Sequence, residues 1–185
     1  MNREQLKFDG CFLLNSTVYP DSRGYFLETY NRLSFSETME FDFIPVQTNV
    51  STSKIGVVRG IHFSLSPKGQ QKLVACLSGS INDYIIDLRV NSSTFGQWEK
   101  ITLIAGKGDL VFIPSGFGHA FQSLQEDTIV AYHLDTRYLP NYEKSISILD
   151  ADISLEFEIP IGEVSDKDKE AHSLTKMKTL KQLPM

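Results

Sequence analysis

Short apolar runs separated by turn residues make up most of this chain. The clearest of them cover residues 81–88, 98–105, 110–113 and 128–134. Many short strands with regular turns and little helix are typical of an antiparallel sandwich or barrel. The pattern therefore predicts an all-β fold.

The stretch 56–77 carries the most concentrated chemistry. Residues 56–63 and 72–77 are strand-like and flank a Ser/Pro/Gly turn at 66–69, which predicts a hairpin. Because side chains alternate along a strand, His62 lies on the face opposite Ile61. His62 is then either a functional histidine on a polar face or a core histidine bonded to backbone.

The remaining elements are weaker. A turn at 21–24 is predicted to join two strands, followed by a helix at 31–40 and a strand at 41–50. Residues 165–168 read Ser-Asp-Lys-Asp, a capping box that predicts a helical tail continuing into LTKMKTL.

Composition narrows the class of protein. At 185 residues with 41% hydrophobic and 22% charged residues, the chain suits one domain, residues 1–185. A formal net charge of −5 argues against a nucleic-acid partner. If the ligand is an anion, local arginines and lysines must bind it.

Cysteines and hydropathy predict the location. Cys11 and Cys76 are too few for a disulfide framework and favour a reducing compartment. The first residues have no apolar core for export, and no apolar stretch is long enough to span a membrane. We expect a cytoplasmic protein with no membrane partner.

Two spacings resemble the cupin superfamily. Gly108, five residues, Pro114-Ser115-Gly116, two residues and His119 match its second motif. The first motif keeps Gly56, five residues and His62. Ser64, however, stands at the second histidine position and Lys72 at the glutamate position.

The resemblance implies a cupin-type antiparallel β-barrel (a jelly roll) with short peripheral helices and a C-terminal helical tail. A lysine in place of a carboxylate would repel a divalent metal. We therefore expect no metal and no cofactor, and an acid–base site where other cupins hold a metal.

A more specific resemblance covers most of the chain. Residues 21 to about 170 are similar, in order, to the dTDP-4-dehydrorhamnose 3,5-epimerase family. The matching segments are DSRGYFLETY, QTNVSTSKIGVVRGIHFSLSPKGQQKLV, GSINDYIIDLR, TFGQW, IPSGFGHAFQSL and SDKD, with Tyr132, Tyr138 and Glu143. One departure is Glu158-Ile159-Pro160, where the family usually has tryptophan before the proline.

The implied reaction inverts C3 and C5 of a dTDP-4-keto-6-deoxyhexose through an enolate. It needs a base, a cation for the enolate oxygen and an acid on the opposite face. His62, Lys72 and Tyr132 supply these three, and the family has the same roles at the matching positions. Asp168 resembles the family carboxylate that pairs with the histidine, or else it only caps the C-terminal helix.

The resemblance also implies the substrate contacts. Arg23, Arg59 and Lys167 would bind the diphosphate and Tyr138 would stack on thymine. Positions matching the nucleotide or sugar lining are Glu28, Gln47, Asn49 and Glu143.

Two other histidines are less clearly assigned. His119, paired with Asp83, is either a ligand-binding residue or a structural residue of a turn. His133 points away from Tyr132 and is expected at the surface or behind the site.

In the family, N-terminal strands exchange between two subunits. This implies a homodimer in which Arg23 and Glu28 serve the neighbour's site.

Four other functions remain open at this point: an epimerase acting at C3 only or on another nucleotide sugar, a sugar-nucleotide ketoisomerase, a metal-dependent cupin oxygenase and a non-catalytic sugar-binding cupin. Ser64 and Lys72 disfavour the oxygenase.

Overall fold

The architecture is almost entirely β-structure. The computed structural model describes residues 1–67 and 69–185, and within them thirteen strands and three short helices form. The strands are β1 (Asn2–Gln5), β2 (Phe12–Asn15), β3 (Val18–Asp21), β4 (Gly24–Leu27), β5 (Gln47–Ser53), β6 (Val58–Ser64), β7 (Lys72–Ser78), β8 (Ser80–Asp87), β9 (Trp98–Ile104), β10 (Asp109–Ile113), β11 (Phe117–Ser123), β12 (Thr128–Leu134) and β13 (Glu143–Ser145). The helices are α1 (Arg32–Met39), α2 (Asp166–Lys169) and α3 (Leu174–Thr179). The predicted all-β class is confirmed.

Two antiparallel sheets form the body of the molecule. One has the strand order β1-β2-β10-β7-β12-β5 and the other β13-β6-β11-β8-β9, while β3 and β4 pair as a separate hairpin. Apolar side chains from both sheets meet between them, among them Val74 and Val130 from the first and Ile81 and Ile85 from the second. This arrangement agrees with the predicted cupin-type jelly roll.

The outer face of each sheet is covered as well. Phe35 and Met39 of α1 pack on Leu73 and Phe112 of the six-stranded sheet. The tail covers the five-stranded sheet through the side chains of Ile146, Ile148, Leu174 and Met177. Both faces of each sheet are therefore largely apolar, and polar side chains such as those of His62 and Lys72 gather at a cavity between the sheets.

The predicted hairpin at 56–77 is wrong. β6 belongs to the five-stranded sheet and β7 to the six-stranded sheet, so the turn between them crosses from one sheet to the other. Lys68 of the predicted turn lies outside the described residues. His62 and Lys72 consequently face each other across the interior instead of lying side by side on one hairpin.

Three boundaries also differ from the prediction. The strand expected at 41–50 begins only at Gln47, because Phe43 packs into the aromatic cluster under α1. The expected turn around His119 is in fact the start of β11, and its Gly118 is required by packing: an added Cβ would lie 2.6 Å from Ile61 Cγ2. The helical tail is two helices, with Ser173 starting the second.

No helix among the described residues is long and apolar enough to cross a membrane.

Candidate active site

A cavity of about 560 Å³ opens between the two sheets at the end where the tail crosses. Strands β5, β7 and β12 line it from one sheet and β6, β11 and β13 from the other, and α2 closes one side. It contains most of the site residues predicted from sequence: Asn49, Arg59, His62, Lys72, His119, Tyr132, Tyr138, Glu143, Lys167 and Asp168.

His62 on β6 is paired with Asp168 on α2. The His62 Nε2 to Asp168 Oδ1 distance is 2.7 Å. The His62 side chain is 40% exposed and faces the cavity, whereas that of Asp168 is only 3% exposed. With Nε2–H donating to the carboxylate, the lone pair of a neutral imidazole lies on Nδ1, which is the form a general base requires.

The Asp168 carboxylate pairs with His62, and the residue that caps α2 is Ser165. The Asp168 backbone N–H donates to the capping Oγ of Ser165 at 3.2 Å, while its carboxylate turns to His62. Burial alone would raise the pKa of this carboxyl. The hydrogen bond and charge of His62, with bonds from Ser165 and Gly60, outweigh burial and hold the pKa below its usual value.

Lys72 brings an ammonium group into the interior. Its side chain is buried, and Nζ donates to the backbone oxygen of His62 at 3.3 Å. Burial lowers the pKa of Lys72 to about 8, and the negative charges of Glu143 and Asp83 oppose this shift. Lys72 is thus a cation at neutral pH with little solvent around it.

Tyr132 reaches the cavity from the wall opposite His62. It lies on β12 of the six-stranded sheet, between Val74 of β7 and Asn49 of β5. The next residue, His133, points to the other side of that sheet, where its Nδ1 lies 2.9 Å from Thr48 Oγ1. A ligand in the cavity would lie between His62 and Tyr132.

His119 and Asp83 form the second polar pair expected from sequence. His119 Nε2 lies 2.7 Å from Asp83 Oδ1, and the Asp83 side chain is fully buried. The alternative of a structural histidine in a turn is wrong in its location, since His119 lies within β11 and lines the cavity. Asp83 holds the orientation of the His119 ring.

The cavity rim carries the polar side chains expected to meet the nucleotide. Gln47 does not line the cavity itself, but its amide donates to Asn49 Oδ1 at 2.9 Å and accepts from the Tyr138 backbone at 2.7 Å. Arg59 donates to Ser53 Oγ at 3.1 Å. These contacts order the rim next to the exposed Tyr138 ring.

Two predicted residues besides Gln47 are absent from the lining of this cavity. Arg23 lies at the tip of the β3–β4 hairpin, exposed and paired with Asp21 at 2.5 Å. Glu28 follows the same hairpin, and its carboxylate accepts from Asn31. Within one chain, the hairpin presents neither side chain to the cavity.

Comparison with known proteins identifies the family. The family model described as dTDP-4-dehydrorhamnose 3,5-epimerase matches residues 5–176. This chain belongs to the dTDP-4-dehydrorhamnose 3,5-epimerase family. As a member it is an epimerase, in the isomerase class of enzymes.

Relatives match over nearly the whole chain. A dTDP-4-dehydrorhamnose 3,5-epimerase of Mycolicibacterium smegmatis is 35% identical, over 100% of this chain and 91% of that protein. A dTDP-4-dehydro-6-deoxyglucose 3-epimerase of a Streptomyces species is 34% identical, over 97% and 92%. The crystal structure of the Legionella pneumophila 3,5-epimerase in complex with dTDP-4-keto-L-rhamnose superposes with a TM-score of 0.92 at 32% identity, covering 99% and 97%.

Two features of this epimerase chain bear on metal binding. In the part of the chain that the structure describes, no three His, Cys, Asp or Glu side chains come together as a metal site. Ser64, at the position of the second cupin histidine, donates to Glu143 Oε1 at 3.0 Å. Ser64 thereby holds a carboxylate near Lys72.

The departure at Glu158-Ile159-Pro160 lies away from the cavity lining. Glu158 accepts from Asn82 Nδ2 at 2.8 Å, and its backbone N–H donates to Gln122. The segment ties the tail to the outer face of the five-stranded sheet, so its role here is structural.

Sequence reasoning missed several cavity residues of this family member. Gln70, Phe121 and Lys144 line the cavity and were not singled out. A signal for Gln70 existed: it stands two positions before Lys72, so alternation would direct both to one side if the extended backbone of β7 continued back to residue 70. Phe121 likewise stands two positions after His119, but this signal can be used only once residues 117–123 are known to form a strand.

Proposed function

We propose that this chain inverts C3 and C5 of a dTDP-4-keto-6-deoxyhexose, as its 3,5-epimerase relatives are named for doing. The observation that carries the proposal is one cavity in which a carboxylate-paired histidine and a tyrosine lie on opposite walls with a buried ammonium group between the sheets. These are the base, acid and cation that the reaction needs.

His62 is the proposed base. A ketone at C4 makes the hydrogens on C3 and C5 acidic, and Nδ1 of His62 removes one of these protons. The electron pair left on carbon moves to the C4 oxygen and forms an enolate. Asp168 stabilises the imidazolium that results, because its carboxylate is already ionised and lies 2.7 Å away.

Lys72 is the proposed partner of the enolate oxygen. A hydrogen-bond donor that is already oriented, in a site with little water, stabilises developing negative charge more than a freely moving donor in solvent does. The Lys72 ammonium has a backbone oxygen as its hydrogen-bond acceptor, so further N–H groups remain for the C4 oxygen.

Tyr132 is the proposed acid. Its phenol gives a proton to the carbon from the face opposite His62, and this inverts the centre. The phenolate then regains a proton from solvent and His62 loses the one it took. The same sequence at the second carbon completes the double epimerisation.

The nucleotide half is proposed to bind at the rim. Tyr138, 54% exposed, is an open ring suited to stacking on thymine, and Arg59 and Lys167 flank the cavity as cations for the diphosphate. Asn49 and Glu143 are proposed to contact the sugar or nucleotide, with Gln47 ordering Asn49. His119 is proposed to contact the sugar.

We further propose a homodimer that exchanges its β3–β4 hairpins. The hairpin exposes Tyr19 and Phe26, at 58% and 68%, and β5 is an edge of the six-stranded sheet with Val50 63% exposed. Open strand edges and clustered exposed apolar side chains are typical of surfaces that another chain covers. Arg23 and Glu28 would then complete the neighbour's cavity.

The whole chain, residues 1–185, is proposed to act as one unit located in the cytoplasm and to need no metal or other cofactor. A C3-only epimerase is the second candidate, because relatives named 3-epimerases match as well as the 3,5-epimerases do. A ketoisomerase or a non-catalytic sugar-binding protein would not account for Tyr132 opposite His62.

Proton NMR in deuterated water with dTDP-4-keto-6-deoxyglucose distinguishes these functions. Deuterium at both C3 and C5, with inversion, is the expected result. Label at C3 alone would establish the single epimerase, and a moved carbonyl the ketoisomerase. No label in any position would refute the enzymatic proposal.

A further inference from the structure

Gln70 is a buried amide in the wall of the cavity, and its side chain has no hydrogen-bond partner among the described residues. Only 7% of the surface of Gln70 is exposed, and the residue lines the cavity together with Lys72. Its neighbours in the chain are engaged: the Gln71 backbone N–H donates to Asp135 at 2.8 Å, and Lys72 Nζ donates to His62. Among residues 1–67 and 69–185, the Gln70 side chain has no hydrogen-bond partner.

An amide in this position needs a partner from the cavity. Buried amide groups are almost always hydrogen-bonded, because leaving one unpaired costs about 1–3 kcal/mol. In the described chain, three side-chain atoms are inaccessible to solvent and have no hydrogen-bond partner. They belong to Ser51, Asp83 and His133. The Gln70 amide is not one of them: the residue keeps 7% of its surface exposed and lines the cavity, where water or a ligand can meet it.

We propose that Gln70 binds a ring hydroxyl of the hexose, on the side of the C4 carbonyl where Lys72 lies. A neutral amide both donates and accepts, which suits a hydroxyl, whereas a phosphate or an enolate oxygen is better met by a cation. The flanking residue Lys72 already supplies that cation. Gln70 is therefore a sugar-recognition residue and not a diphosphate ligand.

This inference rests on the proposed function, and the test separates the two. Calorimetry measures the Kd of dTDP and of dTDP-6-deoxyglucose, a sugar nucleotide that cannot react because it has no ketone. The variants are Gln70→Met, which keeps the side-chain length without the amide, and the matched control Gln71→Met. Gln71 carries the same amide one position along the chain but does not line the cavity.

The expected result is selective. Gln70→Met leaves the Kd of dTDP unchanged and raises that of dTDP-6-deoxyglucose about 2- to 12-fold, the range for one uncharged hydrogen bond. It lowers kcat/KM of the epimerisation by a similar factor. Gln71→Met changes neither Kd.

Two outcomes would overturn the inference: equal weakening of both ligands by Gln70→Met, or no weakening of either. If Gln70→Met does not fold, Gln70→Asn retains the amide but withdraws it by one methylene, and the same selective loss is expected. A wild-type protein that binds neither nucleotide contradicts the proposed function itself. A wild-type protein that binds both, with Gln70→Met unchanged, contradicts only the role of Gln70.

Discussion

His62 and Asp168, 106 positions apart in the chain, are joined by a 2.7 Å contact between imidazole and carboxylate. The contact ties the five-stranded sheet to the tail helix α2 at the cavity. Because the Asp168 backbone N–H also donates to the N-cap Ser165, the carboxylate is held in place by the first turn of α2. The His62 ring is thus oriented by a segment far from it in sequence.

Asp168→Asn should lower kcat by about 10² to 10⁴, the usual contribution of general acid–base groups, because the imidazolium loses its counter-charge. It should also change stability with pH. The pKa of Asp168 is depressed in the folded state, so its stabilising effect is present above its unfolded value of about 3.9 and is lost as the pH falls through the folded pKa. Melting curves of wild type and variant should therefore differ most near neutrality and converge in acid.

The control for this variant is Asp166→Asn on the same helix. The Asp166 side chain is 93% exposed and its carboxylate bonds only Lys169 in the described chain, so kcat and its pH profile should stay as in wild type. Equal losses from the two substitutions would mean that α2, and not the Asp168 carboxylate, matters for activity.

Lys72→Met should reduce kcat by about 10² to 10³ with little change in KM, as expected on removal of one oxyanion donor. A raised KM with unchanged kcat would make Lys72 a phosphate ligand instead. In wild type, kcat should decline as the pH rises through about 8, where Lys72 loses its charge. Lys72→Met should show no such decline in its residual activity.

The same variant should be more stable than wild type at pH 7. Burial lowers the pKa of Lys72 to about 8 in the folded protein, whereas in the unfolded chain it is about 10.4. Between these two pH values the unfolded chain binds more protons than the folded protein, so the stability of the wild type rises with pH. The advantage of Lys72→Met should shrink over the same range in thermal melts. Lys100→Met, at an exposed strand position, serves as the control and should show neither effect.

His62→Ala and Tyr132→Phe should separate proton removal from inversion. Without the base, both deuterium exchange at C3 and C5 and epimerisation should disappear. Without the acid, His62 can return a proton to the face it came from, so exchange should continue while inversion falls by about 10² to 10⁴. Deuterium uptake and product stereochemistry, measured by NMR on the same samples, check this. If Tyr132→Phe abolishes exchange as fully as His62→Ala does, the two-sided mechanism is wrong.

Activity should survive exhaustive treatment with EDTA. Ser64 and Lys72 stand where a cupin metal site would have a histidine and a glutamate, and Ser64 is hydrogen-bonded to Glu143. The measurement is turnover before and after chelation, with metal content followed by elemental analysis. Loss of turnover that returns with iron, manganese or zinc would contradict a metal-free mechanism.

Arg23→Ala should raise KM about 10- to 100-fold, as loss of a hydrogen bond to a charged group predicts, if Arg23 serves the neighbour's cavity. Co-expression with His62→Ala gives a sharper test. Half of randomly formed dimers are hybrids with one intact cavity, so about a quarter of wild-type activity should return at low substrate. Two cavities each built from one chain would give no such recovery.

Much of the strand pattern could be predicted from sequence, since alternation of side chains is a local property. Thr128–Leu134 has the predicted bounds, and the turn at 21–24 joins β3 to β4 as expected. The same alternation correctly put His62 and Ile61 on opposite faces. Where local signals misled, packing was the reason: the glycines around His119 suggested a turn, but Gly118 is needed where β11 lies against Ile61.

The sequence by itself determined the residue types of the site and, through its motifs, the family that the comparisons confirmed. Only the tertiary structure decided which of those residues meet. It assigned β6 and β7 to different sheets, turned the Asp168 carboxylate to His62 and left the Gln70 amide without a described protein partner in the cavity wall. The reason is physical: a strand's alternation depends on its own residues, whereas sheet membership and the pairing of buried polar groups depend on contacts between segments far apart in the chain.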